Sequence, residues 1–129
     1  MAELQDTNIT GSLMLNGSPI IESSDGYIRW ADGTQICTGY MQTLYNPSKD
    51  GVLYASTYNP NFQFAKVFSA SPTIHLYIAS NSMNNIIGAI PLGVATPSGY
   101  SNQVKVWGSA TTGMSYTINI NYIAIGRWK

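Results

Sequence analysis

Met114-Ser115-Tyr116-Thr117-Ile118-Asn119-Ile120-Asn121-Tyr122 is the stretch that decides the fold class. Its even positions are apolar or aromatic and its odd positions are Ser, Thr or Asn, a period of two held over nine residues. A β-strand sends successive side chains to opposite faces, whereas a helix would scatter the same residues around its circumference. The stretch is therefore a half-buried strand. Just beyond it Ile123, Ala124, Ile125 and Trp128 put apolar groups on both faces. Such a strand must be covered on both sides, by a second layer of the fold and by a neighbouring subunit.

Working back along the chain, Thr73-Ile74-His75-Leu76-Tyr77-Ile78-Ala79 alternates in the same way, with Ile74, Leu76 and Ile78 on the core face and His75 and Tyr77 opposite. Further upstream, Asn16-Gly17, Asp25-Gly26, Asp32-Gly33 and Asp50-Gly51 are turn pairs of the kind that supply positive φ in tight hairpins. Tyr27-Ile28-Arg29-Trp30 runs into Asp32-Gly33, and Thr34-Gln35-Ile36-Cys37-Thr38-Gly39-Tyr40-Met41 reads as the returning strand. Three stretches, 45–50, 58–61 and 96–102, carry Asn and Pro without alternation and read as loops. No window holds a capped 3.6-residue pattern. The predicted class is all-β, and 129 residues suit a single core.

Composition narrows the chemistry. Only 9% of residues are charged, against a usual share of about 25%. Six Lys+Arg balance six Asp+Glu, so no electrostatic footprint for nucleic acid or an anionic membrane is expected. Much of the surface must be Tyr, Thr, Ser, Asn and Gly, or be covered by another copy of the chain. One cysteine, Cys37, and one histidine, His75, cannot make an intrachain disulfide or a zinc site. The start lacks a leader pattern, and the longest mostly apolar stretch, Ile86 to Ala95, is far short of the roughly 20 residues a helical span needs, so no membrane insertion is predicted. Titratable groups are scarce as well. Asp25, Asp32 and Asp50 sit in turns, Glu3 and Asp6 near the start, and Glu22 stands alone. His75 has neither a nucleophile elbow nor an orienting acid beside it. No catalytic residue, metal or cofactor is expected, and the chain reads as a non-enzyme.

What remains is an aromatic and amide surface. Sugars are held without catalysis when an aromatic ring stacks on the pyranose face and amides bond its hydroxyls. Tyr45, Asn46, Tyr54, Tyr58, Asn59, Tyr100 and Asn102 are the candidate glycan-binding residues on this ground. The competing assignment is that these tyrosines cover core edges or seal subunit contacts.

Several blocks also resemble a known family. Gly26-Tyr27-Ile28-Arg29-Trp30-Ala31-Asp32-Gly33-Thr34-Gln35-Ile36-Cys37 resembles the hairpin that opens the C-terminal domain of many bacteriophage tail-fibre proteins. Phe64-Ala65-Lys66-Val67-Phe68-Ser69-Ala70-Ser71-Pro72-Thr73-Ile74 is similar to their lead into a central strand, and Asn121-Tyr122-Ile123-Ala124-Ile125-Gly126-Arg127-Trp128 to their terminus. Gly11-Ser12-Leu13-Met14-Leu15-Asn16-Gly17-Ser18-Pro19-Ile20 is like the last shaft module of such a fibre. A looser likeness to the H-type lectin fold places Thr112-Gly113-Met114 at a strand start where lectins have an aromatic in place of Met114, and no lectin sugar site is carried over.

The resemblance implies an antiparallel β-sandwich head over residues 26–129 with a shaft and trimerisation segment over residues 1–25, wound into an intertwined homotrimer. Leu13, Leu15, Ile20, Ile21, Ile123, Ile125 and Trp128 are then the expected trimer-interface residues. It further implies a virion component, extracellular when active, whose partners are the remainder of the fibre and a bacterial surface glycan or outer-membrane receptor. The function expected is attachment to a cell-surface polysaccharide or lipopolysaccharide; the alternative is a purely structural trimerisation or capping module.

Overall fold

A computed structural model describes residues 14–15, 17–46, 48–50, 53–79, 87–108 and 116–129. Its strands are β1 (Met14–Leu15), β2 (Ser18–Ser24), β3 (Tyr27–Trp30), β4 (Thr34–Tyr45), β5 (Ser48–Asp50) and β6 (Leu53–Tyr58). They continue as β7 (Phe62–Gln63), β8 (Thr73–Ala79), β9 (Ile87–Pro91), β10 (Gly99–Tyr100), β11 (Val104–Gly108) and β12 (Tyr116–Arg127). There is no helix among the described residues, as the periodicity predicts.

The turn glycines set the first meander. Gly17, Gly26 and Gly33 have φ of 82°, 89° and 100°, the left-handed region in which a Cβ is costly. Each follows Asn or Asp and reverses the chain between antiparallel partners, β1 with β2, β2 with β3 and β3 with β4. At Asp32-Gly33 the Asp32 carboxylate accepts the Thr34 amide at 2.8 Å, the local bond expected of a turn aspartate. The boundary expected at residue 25 falls inside the β2–β3 turn, where Ser24 pairs with Tyr27 in one ladder.

β12 is the spine. It pairs with β4 from Tyr116↔Tyr45 to Arg127↔Thr34 without a slip, and along its other edge with β8 from Asn119↔Ala79 to Ile125↔Thr73. The six-stranded sheet runs β1-β2-β3-β4-β12-β8, a four-stranded sheet runs β5-β6-β11-β9, and β10 with β7 forms a short ribbon, all antiparallel. Because the register is unbroken, each row of directly opposed residues shares one face. Cys37, Ala124 and Ile74 share the core face, as do Gly39, Tyr122 and Leu76.

One hydrophobic cluster draws from both large sheets. Ile118, Ile120, Tyr122 and Ala124 of β12 and Cys37 and Tyr45 of β4 meet Val104 and Val106 of β11, with Phe62, Phe64, Phe68 and Tyr100 from the connecting segments. Burying each large aliphatic or aromatic side chain contributes about 1.5–3 kcal/mol. Phe62 and Phe64 pack against the Tyr122 ring at centroid distances of 4.6 and 5.6 Å.

Three segments that read as loops are partly strand. Tyr45 closes β4, and residues 48–50 form β5 against β6. Tyr58 ends β6, and Gly99–Tyr100 pair with Phe62–Gln63. Ladder pairing and burial outweigh the local Asn and Pro signals, as tertiary context does elsewhere in sheets. Gly99 illustrates the packing, since a Cβ there would run into the carbonyl oxygen of Phe62.

The closure of the sheet is chemical as well as topological. The Trp128 amide donates to Gly33 O at 2.9 Å and its indole Nε1 donates to Trp30 O at 2.8 Å, while Arg127 donates to Asp32 O at 2.5 Å. The far end of β12 is thus strapped over the Asp32-Gly33 turn.

Candidate functional site

The seven candidate glycan residues separate by environment. Tyr45 and Tyr100 are 0% and 1% exposed, so their rings belong to the core. The Tyr100 hydroxyl donates to Gln103 O at 2.6 Å and accepts the Leu92 amide at 3.1 Å, bracing the chain between β9 and β11. Tyr58 is half-buried and donates its hydroxyl to Leu44 O at 2.7 Å. Burial pushes the phenols of Tyr45, Tyr58 and Tyr100 above their ordinary value. Asn46 and Asn59 are exposed, and the Asn46 carbonyl accepts the Ser56 hydroxyl at 2.6 Å. Asn102 is exposed but spends its amide on Val94 O at 2.8 Å. The side chain of Tyr54 lies outside the described residues. The strand character of these segments is what turns most of the tyrosines inward.

Of the expected trimer contacts, Ile21 and Ile125 are 52% and 41% exposed. Ile20, Ile123 and Trp128 are half-buried. Leu13 and the side chain of Leu15 lie outside the described residues. Through the β3–β4–β12 register, Ile125 sits in one row with Ile36 and Ile28, and Ile123 is in the next same-face row. The outer face of the sheet therefore carries Ile28, Ile36, Ile123 and Ile125 close together, with Thr38 and His75 beside Ile123 and Thr73 beside Ile125.

A second arrangement was not legible in the sequence. β3 pairs with β4 only as far as Tyr27↔Cys37, and the Thr38 amide bonds Gly26 O at 3.0 Å just beyond. From Gly39 onward the β4 edge away from β12 has no strand partner among the described residues. A groove of about 390 Å³ lies along this edge, with Thr38, Gly39 and Tyr40 on one wall, Asn61, Gln63 and Ala65 on the other, and Asp25-Gly26 at one end. Phe62 and Tyr122 also line it. On the other side of β7, a hollow of about 190 Å³ is lined by Thr96, Ser98 and Ser101 and shares Asn61, Phe62 and Gln63 with the groove. The alternation of β4 could have flagged Tyr40 as outward-facing; the free edge depends on how far β3 extends, which no local signal records.

Charge is arranged around this region so that little of it is available. Glu22 accepts the Tyr27 hydroxyl at 2.6 Å and pairs with Lys66 at 3.1 Å and Arg29 at 3.4 Å. The Tyr27 bond, followed by the Lys66 bond, holds the Glu22 carboxyl below its ordinary value. Arg29 also donates to Gln35 Oε1 at 2.6 Å and to Val67 O at 3.1 Å, and stacks over Trp128 at 5.2 Å. Burial pushes the Cys37 thiol up, away from the reactive thiolate. Among the described residues no group of three His, Cys, Asp or Glu could hold a metal ion. Hydrogen bonding and aromatic contact are what this surface offers.

No family model matches the chain, and no curated protein is similar in sequence. Solved structures are similar in fold. An N-truncated R1-type pyocin tail fiber aligns over 92% of this chain and 90% of that one, with a TM-score of 0.57 and 13% identity. The C-terminal part of the P. aeruginosa R1 pyocin fiber aligns over 92% of this chain and 29% of that one, with a TM-score of 0.57 and 12% identity. The all-β architecture is thus a fold shared with these pyocin tail fibers.

Proposed function

We propose that this chain is the distal part of a phage-type tail fibre, acting as a homotrimer that attaches a virion to a bacterial surface by holding a saccharide, with no bond made or broken. The observation that carries the reading is the fold likeness to pyocin tail fibers over 92% of the chain. The surface chemistry supports it. A neutral glycan offers hydroxyls and one apolar ring face, and the exposed groups on offer are amides, hydroxyls and aromatic rings in a chain with only 9% charged residues.

Trimerisation serves this function in two ways. It covers the exposed Ile125 and its neighbour Ile123, and it multiplies a weak site by three, so that avidity replaces single-site affinity. Residues 1–25 would continue into a shaft and join the head to the rest of the fibre. This chain spans 29% of the longer pyocin fiber that it aligns with. A second reading, a structural trimerisation or capping module, is favoured by the same exposed isoleucines and needs no glycan.

The two are separated by experiment. Sedimentation at micromolar concentration should give the mass of three chains, and the purified protein should adsorb to some strains in a bacterial panel and be displaced by their extracted surface polysaccharide. A monomeric mass would overturn the trimer. A trimer adsorbing to no strain would leave the capping role in place of the receptor-binding one.

A further inference from the structure

We infer that the groove along the free edge of β4 is a saccharide subsite, with Tyr40 as its stacking platform, and that it selects uncharged sugars over acidic ones. The inference rests on the chain being a saccharide-binding fibre tip.

The edge supplies directional backbone groups. Residues of an antiparallel strand alternate in the side to which they turn their N–H and C=O. Thr38 turns them away from β12, since its amide bonds Gly26 O, and so does Leu44, whose carbonyl accepts Tyr58. Tyr40 and Gln42 lie between them in the same phase, and no described strand stands opposite. Thr38 and Leu44 are already engaged, so this edge is too short for an added peptide strand. Of Tyr40 and Gln42, Tyr40 lines the groove, and its backbone donor and acceptor beside the ring suit a small polyhydroxylated ligand.

The walls fit the same ligand. Tyr40 is 66% exposed on a strand whose core-face neighbour Gly39 carries no side chain, because the Tyr122 ring fills the place a Cβ would take. Asn61 and Gln63 on the far wall are exposed amides. A volume of about 390 Å³ is at the small end of ligand sites, which run roughly 300–1,000 Å³.

Selectivity follows from charge. The carboxylate of Asp25 is the one charged side chain lining the groove. The cations nearest in sequence to the far wall and to the turn, Lys66 and Arg29, are committed to Glu22. An acidic sugar entering here would meet a like charge with no counter-ion, whereas a neutral one can donate hydroxyls to Asp25.

The test applies the full chain to an array of immobilised neutral, N-acetylated and uronic-acid saccharides, alongside adsorption to bacterial cells. Tyr40→Ala is expected to weaken neutral-sugar binding at least tenfold, and Asp25→Lys to shift preference toward uronic acids. Tyr77→Ala, which removes another exposed ring of the same sheet face, should change neither. Melting temperatures within a few degrees of the parent would show the variants folded, and addition of methyl glycosides should move the Gly26 and Gly39 amide resonances. If cells and neutral sugars bind equally well to Tyr40→Ala and Asp25→Lys, the groove is refuted and the fibre-tip reading stands. Preference of the parent for uronic acids would overturn the selectivity. Binding of the parent to neither cells nor any saccharide would remove the fibre-tip reading and this inference together.

Discussion

Gln35 is the one fully buried polar side chain among the described residues, and replacing it by methionine is a direct test of how the first hairpin is held to the rest of the fold. Its Oε1 accepts Arg29 Nε at 2.6 Å, and its Nε2 donates to Lys66 O at 2.9 Å. Gln35 therefore ties β3 and β4 to the segment that carries Phe64 and Phe68 into the core. Methionine conserves length and burial but removes both bonds. A hydrogen bond to a charged group contributes about 1.5–3 kcal/mol and a neutral one about 1, so the loss should total about 2–4 kcal/mol. Arg29 keeps Glu22 and Val67 O, which places the cost toward the lower part of that range, while the Lys66 carbonyl keeps only the weak Cys37 thiol donor at 3.7 Å. For a chain of this size the melting temperature should fall by roughly 6–15 °C. Calorimetry of both proteins at one fixed concentration would measure it, which removes any effect of association on the comparison. Gln63→Met, at an exposed position, is the control and should stay within about 0.5 kcal/mol of the parent. A Gln35→Met protein melting within about 2 °C of the parent would refute the tie.

Three further outcomes are expected. Ile120→Ala removes a 0%-exposed side chain from the centre of the sheet and should cost about 2–5 kcal/mol in denaturant unfolding. Tyr100→Phe removes the hydroxyl that donates to Gln103 O and accepts the Leu92 amide, leaves the Leu92 N–H to Gln103 O bond at 2.9 Å as their remaining link, and should cost about 1–3 kcal/mol for two lost bonds, with faster hydrogen exchange at Leu92. Glu22 has a folded-state pKa below its ordinary value of 4.5, so the stability it contributes is present above that value and lost as pH falls through the folded pKa; Glu22→Gln should flatten the acid limb of a melting-temperature profile.

Much of the strand pattern was legible because strong local signals agree with the final ladders. Three Asn-Gly or Asp-Gly pairs became positive-φ turns, and the alternation at 73–79 and 116–122 became β8 and most of β12 with the expected faces. The errors came where burial and pairing decide. Tyr45 and Tyr100 sit among Asn, Pro and Ser, and a local reading exposes them, yet strand pairing turns both rings into the core. Tyr40 could be read as outward-facing but not as groove-lining, since the groove exists only because β3 stops while β4 continues for eight residues beyond Cys37. The low charge of the chain left its few ions easy to enumerate, but not the network that joins Glu22 to Tyr27, Arg29 and Lys66.

The place of β12 also imposes an order in time. Both strands that flank it, β4 and β8, precede it in the chain, and the Thr34↔Arg127 pair closes over more than ninety residues. During synthesis the six-stranded sheet has no middle until residue 127 has emerged, and contacts of such long range form slowly. Until then β4 and β8 expose unpaired edges to any other nascent chain. A chain ending before residue 116 would lack the strand that joins β4 to β8, leaving it able to aggregate but not to complete the sheet.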